Sequence, residues 1–222
     1  SYINSHYVIM CTKKGQVKKT SLEQYSRPRS NGINAITIKD DDELLEAKLT
    51  TGNSQVLIAV KSGKCIRFEE GKTRPMGRNA SGVRGIRLKD SSDEVIGMIS
   101  VNDMDSDILV VSENGYGKRS SLEDYRITNR GGKGVKTISI TDKTGNLVSI
   151  KNVSDGDDLM IINKSGIAIR MEVSDLRVMG RATQGVKLIN IKDNDSIAAV
   201  AKVVLEEDEV QDIDNIEVIE EE

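Results

Sequence analysis

The residues best suited to chemistry in this chain lie between Ser121 and Lys136, where SLEDYRITNRGGKGVK joins a tyrosine-bearing turn to an arginine, a glycine-rich bend and an alternating apolar strand. Gly131-Gly132-Lys133-Gly134 suits anion binding, because glycine frees backbone N–H groups to converge on a phosphate and lysine supplies the opposite charge. A nucleotide-binding P-loop needs more than this: Gly-x-x-x-x-Gly-Lys followed by Ser or Thr. Around Gly132-Lys133 the upstream position is Ile127 and the downstream one Gly134; around Gly117-Lys118 they are Ser112 and Arg119. Neither string meets the pattern.

Other reactive types are scarce. His6 near the start is a poor general base, and the carboxylates form no isolated pair in an apolar setting that would shift a pKa. One histidine with Cys11 and Cys65 falls short of the four N/S ligands of a structural zinc site, and two separated cysteines read as buried, reduced thiols. We therefore expect no catalytic residue, cofactor, metal or small-molecule substrate. No apolar run approaches 18 residues and no charged n-region precedes an apolar one, so the sequence is expected to be a soluble piece of a larger cytoplasmic protein, neither secreted nor membrane-spanning.

What remains is positive charge. Arg27 and Arg29, Arg74 and Arg78, Arg126 and Arg130, Arg177 and Arg181 come in four pairs, and Lys133 joins the third. Upstream of each pair lies a shorter basic segment: Lys18 and Lys19, Lys64 and Arg67, Lys118 and Arg119, then Arg170. The formal net charge of −3 conceals this. Ten acidic residues and no basic one fall between Glu206 and Glu222, so the preceding residues hold 32 basic against 25 acidic groups, a net of +7. A like-charged block of this kind is expected to be a disordered tail.

The elements that place these cations repeat. Apolar runs Tyr7–Met10, Val56–Val60, Ile108–Val111 and Leu159–Ile162 each lead to a glycine, at 15, 63, 115 and 166, and then to a basic second strand. A loop of a dozen or so residues carrying the arginines ends at a second glycine, at 32, 82, 134 and 185. Third runs follow at Ile33–Ile38, Val83–Leu88, Val135–Ile140 and Val186–Ile191, and closing runs at Leu44–Leu49, Val95–Val101, Leu147–Val153 and Ile197–Val203. Four periods of about fifty residues with four short strands each signal a propeller-type architecture. The continuously apolar first run predicts a strand buried on both faces, and the glycines fit hairpins that need a positive φ. With no Trp and one Phe, the core must be built from Ile, Val, Leu and Met. Equivalent loops place cations on the same side of every repeat, the footprint of a polyanion followed along its backbone. The scarcity of aromatics leaves no stacking platform for single strands, which favours duplex DNA contacted at its phosphates without base readout.

In Asn114–Arg119, Met76–Leu88 and Val178–Val186 the chain resembles the C-terminal domain of the A subunit of bacterial DNA gyrase, a six-bladed β-pinwheel, and the likeness extends over nearly all of residues 6–204. The resemblance implies four-stranded antiparallel blades that exchange a strand between neighbours. It further implies a basic outer rim that wraps duplex DNA so that the holoenzyme, with its gyrase B subunit, introduces negative supercoils using ATP and Mg bound elsewhere. The catalytic tyrosine belongs to the N-terminal part of such a protein; Tyr7, Tyr25, Tyr116 and Tyr125 read as packing or rim residues. Only four of six repeats are present, which predicts an open arc. The family hallmark Gln-Arg-Arg-Gly-Gly-Lys-Gly sits in the first blade, whereas the nearest string here, Thr128–Gly134, lies in the third repeat.

The expectation is therefore an all-β, propeller-like β-pinwheel over residues 1–205, with blades at about 6–53, 55–103, 107–155 and 158–204, and an acidic tail over 206–222. Its DNA-binding set is Lys18, Lys19, Arg27, Arg29, Arg67, Arg74, Arg78, Lys118, Arg119, Arg126, Arg130, Lys133, Arg170, Arg177 and Arg181. The expected partners are duplex DNA, the gyrase B subunit, plus the rest of the gyrase A subunit, at the bacterial nucleoid in the cytoplasm and with no membrane contact. The alternatives are the equivalent domain of topoisomerase IV and a propeller that binds an acidic protein.

Overall fold

A computed structural model describes residues 5–192 and 194–204. The tail expected over 206–222 lies outside the described residues. Each repeat begins as a hairpin: β1 (Tyr7–Thr12) with β2 (Gln16–Ser21), β4 (Gln55–Val60) with β5 (Lys64–Glu69), β8 (Asp107–Ser112) with β9 (Tyr116–Ser121), and β12 (Asp157–Asn163) with β13 (Ala168–Glu172). The turn glycines Gly15, Gly63, Gly115 and Gly166 all have φ between 82° and 88°, a conformation side chains resist. The last strand of each repeat pairs with the other edge of the first strand: β3 (Leu44–Thr50), β7 (Val95–Val101), β11 (Leu147–Val153) and β15 (Ile197–Val204).

The third runs cross between repeats. β6 (Val83–Arg84), β10 (Val135–Lys136) and β14 (Val186–Lys187) pair antiparallel with β2, β5 and β9 of the preceding repeat. The sheets are accordingly β3-β1-β2-β6, β10-β5-β4-β7 and β11-β8-β9-β14, with a three-stranded β13-β12-β15 last. Every sheet is antiparallel, and the helical segments among the described residues are single 3-10 turns of three or four residues. No helix is long and apolar enough to cross a membrane.

Two expectations about the third runs change. They are not six-residue strands: only two residues of each enter a ladder, and the remainder bonds singly, as when Gly85 N–H donates to Gly15 O (2.7 Å) and Arg87 N–H to Gly132 O (2.8 Å). In the first repeat Ile33–Ile38 forms no strand. Its counterparts pair with the second strand of a preceding repeat, and among the described residues no strand precedes β1. At the other end β13 has no fourth strand beside it among the described residues, so strand exchange does not join the last sheet to the first.

The core lies between sheets. Val56, Ile58 and Val60 pack with Ile9, Cys11, Val17 and Ile86 towards the first repeat, while Leu57 and Ala59 pack with Ile108, Val110, Tyr125 and Ile138 towards the third. Leu109 and Val111 continue the pattern with Leu159, Ile161 and Ile189. Successive side chains on a strand point to opposite faces, so a strand sandwiched between two neighbours must be apolar at every position. That is the physical reason for the unbroken apolar runs. Cys11 and Cys65 sit in different clusters as free thiols, and burial raises the pKa of both.

Candidate nucleic-acid interface

Each basic loop starts from a 3-10 turn after the second strand, at Leu22–Tyr25, Glu70–Lys72, Leu122–Asp124 and Val173–Asp175. In repeats two to four the chain then runs back across the preceding sheet. Met76 N–H donates to Lys19 O, Thr128 N–H to Arg67 O and Met179 N–H to Arg119 O, each at 2.8 Å. The arginine loop of one repeat therefore lies over the second strand of the repeat before it.

This placement removes five expected residues from the surface. Lys18, Lys19, Arg67, Lys118 and Arg119 are between 0% and 8% exposed. Lys19 pairs with buried Glu70 (3.6 Å) and lies over the Tyr7 ring. Arg67 Nη1 donates to Leu122 O (2.6 Å) and Tyr125 O (2.9 Å), and its Nε to Gln55 Oε1 (2.6 Å). Arg119 bonds Asp107 (2.6 Å) and Asp155 (2.5 Å), and more weakly Val173 O (3.3 Å). Each holds the 3-10 turn of the following repeat, because a buried cation must be surrounded by acceptors. Burial lowers the pKa of Lys18 and Lys118 to about 8, with like-charged Arg78 and Arg181 adding to the shift. Arg170 in the last repeat, which no following turn covers among the described residues, is half-exposed and pairs with Asp158 (2.5 Å).

The loop residues divide in two. Arg27, Arg29, Arg74, Arg126, Lys133 and Arg177 are exposed; Arg126 and Lys133 line one cleft, and Arg29 lines another with Arg78. Arg78, Arg130 and Arg181 are half-buried and reach the preceding repeat. Arg130 donates to Lys72 O (3.0 Å) and Arg84 O (3.1 Å), Arg181 to Asp124 O (2.9 Å) and Lys136 O (2.7 Å), and Arg78 to Asn34 O (2.9 Å). A guanidinium has five N–H donors, so these arginines clamp two repeats and keep donors for an outside acceptor.

The same bonds reveal residues that the sequence reading missed. Arg84, Lys136 and Lys187 are exposed and occupy one position of the exchanged strands, two residues after the second glycine. Two of them lie directly under a clamp, as Arg84–Arg130 and Lys136–Arg181. The alternation Val-Arg, Val-Lys, Val-Lys was the available signal. In both cases the guanidinium meets the backbone carbonyl of the exposed basic residue, so each clamp is anchored at the position from which that side chain leaves the exchanged strand. Among the described residues no group of three or more His, Cys, Asp or Glu could hold a metal ion.

Known proteins share this fold. The family described as "DNA gyrase C-terminal domain, beta-propeller" matches residues 6–51, 55–102, 106–154 and 157–203. The A subunit of DNA gyrase from Staphylococcus epidermidis is 45% identical over 203 residues, 91% of this chain and 23% of that protein. Among solved structures, the C-terminal domain of DNA topoisomerase IV matches with a TM-score of 0.86 at 23% identity, covering 92% of this chain and 64% of that one. A DNA gyrase A C-terminal domain matches with a TM-score of 0.81 at 25% identity, covering 92% and 68%. The chain thus spans 23% of the length of the curated relative it matches.

Proposed function

The chain belongs to the DNA gyrase C-terminal domain family, and from that membership together with the rim geometry we propose that it binds duplex DNA along the phosphate backbone, without base readout, and bends it over the basic rim. The observation that carries this is the contact between the clamp arginine of one repeat and the exchanged strand of the one before, Arg130 on Arg84 and Arg181 on Lys136. Each bond runs to a backbone carbonyl and sets a clamp guanidinium at the base of an exposed basic side chain, Arg84 or Lys136, which supports a path of cations from repeat to repeat, and arginine's fork suits phosphate oxygens. Bending ~20–30 bp by ~40–90° costs roughly 1–6 kcal/mol, which several phosphate contacts and the counterions they release can offset.

In this role the chain is a non-catalytic part of a gyrase A subunit. It acts with gyrase B and with the remainder of its own polypeptide at the bacterial nucleoid, and presents bent DNA for ATP-dependent supercoiling carried out elsewhere in the assembly. Sequence identity favours gyrase over topoisomerase IV, since the topoisomerase IV match at 23% identity speaks to fold alone. An anisotropy titration of a labelled duplex tests the DNA reading: log K should fall linearly with log salt, by about 0.9 per phosphate neutralised. A flat salt response would overturn it, as would equal binding of an acidic polypeptide.

A further inference from the structure

One position of the second strand, three residues after the turn glycine, alternates as Lys18, Ile66, Lys118 and Ile169; the first three lie beneath the arginine loop of the following repeat. Lys18 and Lys118 are fully buried, and their ammonium groups point into the loop of the next repeat. Lys118 Nζ donates to Gly180 O (2.7 Å) and Arg181 O, with Thr183 Oγ1 at 3.4 Å; Lys18 Nζ donates to Arg78 O and Ala35 O. Arg78 O and Arg181 O belong to clamp arginines and Gly180 O adjoins one, while Ala35 O lies in the same repeat as Lys18, next to the Asn34 carbonyl that Arg78 holds.

Ile66 can make no such bond, and the loop above it differs. Where the loops over lysine read Arg78-Asn79-Ala80 and Arg181-Ala182-Thr183, this one reads Arg130-Gly131-Gly132. Gly131 has φ +83°, whereas Asn79 and Ala182 are not among the residues with positive φ. In that conformation Gly131 N–H donates to Gly85 O (2.6 Å). Gly85 is the repeat equivalent of Ala35, whose carbonyl accepts from Lys18. Gly132 lies over the isoleucine, since a Cβ there would stand 3.5 Å from Ile66 Cδ1. A backbone amide thus fills the place that a lysine ammonium takes in the first junction.

We propose that Lys18 and Lys118 are positioning residues that pin the arginine loop of the following repeat from beneath, and that Gly131-Gly132 is the neutral equivalent of that pin over Ile66. Each device fixes the loop backbone next to a clamp arginine, so that Arg78, Arg130 and Arg181 are held in comparable poses on one stripe. For its consequence on DNA the proposal rests on the phosphate-binding reading above; for the loop itself it does not.

Swapping the devices tests it. Lys118→Ile removes the pin, and Lys118→Ile with Ala182→Gly and Thr183→Gly supplies the neutral one without adding charge. Amide exchange at residues 179 and 183, whose N–H groups donate to Arg119 O and Gly180 O, read in the full chain, should quicken at least about tenfold in the single variant, the ratio for the loss of one or more charge-assisted hydrogen bonds, and return towards wild type in the triple variant. Residues 130–134 should be unaffected in both. Duplex affinity should follow the same order. Unchanged exchange in Lys118→Ile overturns the proposal, as does a folded triple variant that exchanges as fast as the single one. If the single variant fails to fold, the triple variant must fold, or the pins are not equivalent. Should no form bind duplex, wild type included, the DNA reading fails while the exchange measurement still decides the pin.

Discussion

An arginine on this rim is either a clamp or a free charge, and the two kinds respond differently to removal. Arg74, Arg126 and Arg177 are exposed beside the parallel bridges that dock each loop. Replacing all three by Ala is expected to lower duplex affinity by roughly 1 kcal/mol per arginine and to flatten the salt slope by about one unit each, with unfolding unchanged. Arg130→Ala or Arg181→Ala removes two bonds to carbonyls of the preceding repeat. The expected loss is about 1–2 kcal/mol of stability in urea, in addition to weaker DNA binding. Equal stability of the two sets of variants would show that the clamps carry no structural load. Charge reversal at Arg78, Arg130 and Arg181 together would for the same reason loosen the junctions as well as repel DNA.

At the scale of the element, the exchanged strand is set by the glycine before it. A Cβ on Gly134 would stand 2.5 Å from Cys65 O, and that residue has φ +71°. Gly32, its equivalent in the first repeat, has φ +80° but nothing within 4 Å of a Cβ. Gly134→Ala should therefore cost at least about 2 kcal/mol, through strain and displacement of β10 from β5, while Gly32→Ala should cost only about 1 kcal/mol from strain. Urea unfolding of the two variants checks the difference. Similar costs would mean that backbone conformation alone, and not the close approach of the exchanged strand, demands glycine there.

For the whole molecule, the sheets stack face to face through three apolar layers, while the clamp arginines bond each later repeat to the exchanged strand of the one before it. The segment over 206–222 brings ten carboxylates to a body that is otherwise net positive. Deleting it should raise duplex affinity several-fold at low salt, with the gain shrinking as the Debye length falls from ~30 Å at 0.01 M to ~8 Å at 0.15 M. A lower affinity without the tail would mean that it helps binding instead of competing with it.

Much of the fold was legible in one dimension, because the repeat multiplies every signal by four. The hairpin glycines, the doubly buried first strands and the basic loops all recur at matching offsets, and the resemblance of Asn114–Arg119 and Met76–Leu88 to one family rests on the same strings. Exposure was not legible. Lys118 and Lys133 are both lysines beside glycines, yet one is 1% exposed under a loop and the other stands free on it; a lysine is buried only where carbonyls from a distant segment can surround its ammonium. The family resemblance implied a strand exchanged between neighbours, but the residues themselves did not say that Val83–Arg84 is that strand, since pairing across some 65 residues leaves no local mark. The sequence by itself determined that four like units would form and that each would present arginines. Only the tertiary structure decided which cations lie beneath the loops as pins and which remain outside for a phosphate, because that division depends on what the next repeat lays over them.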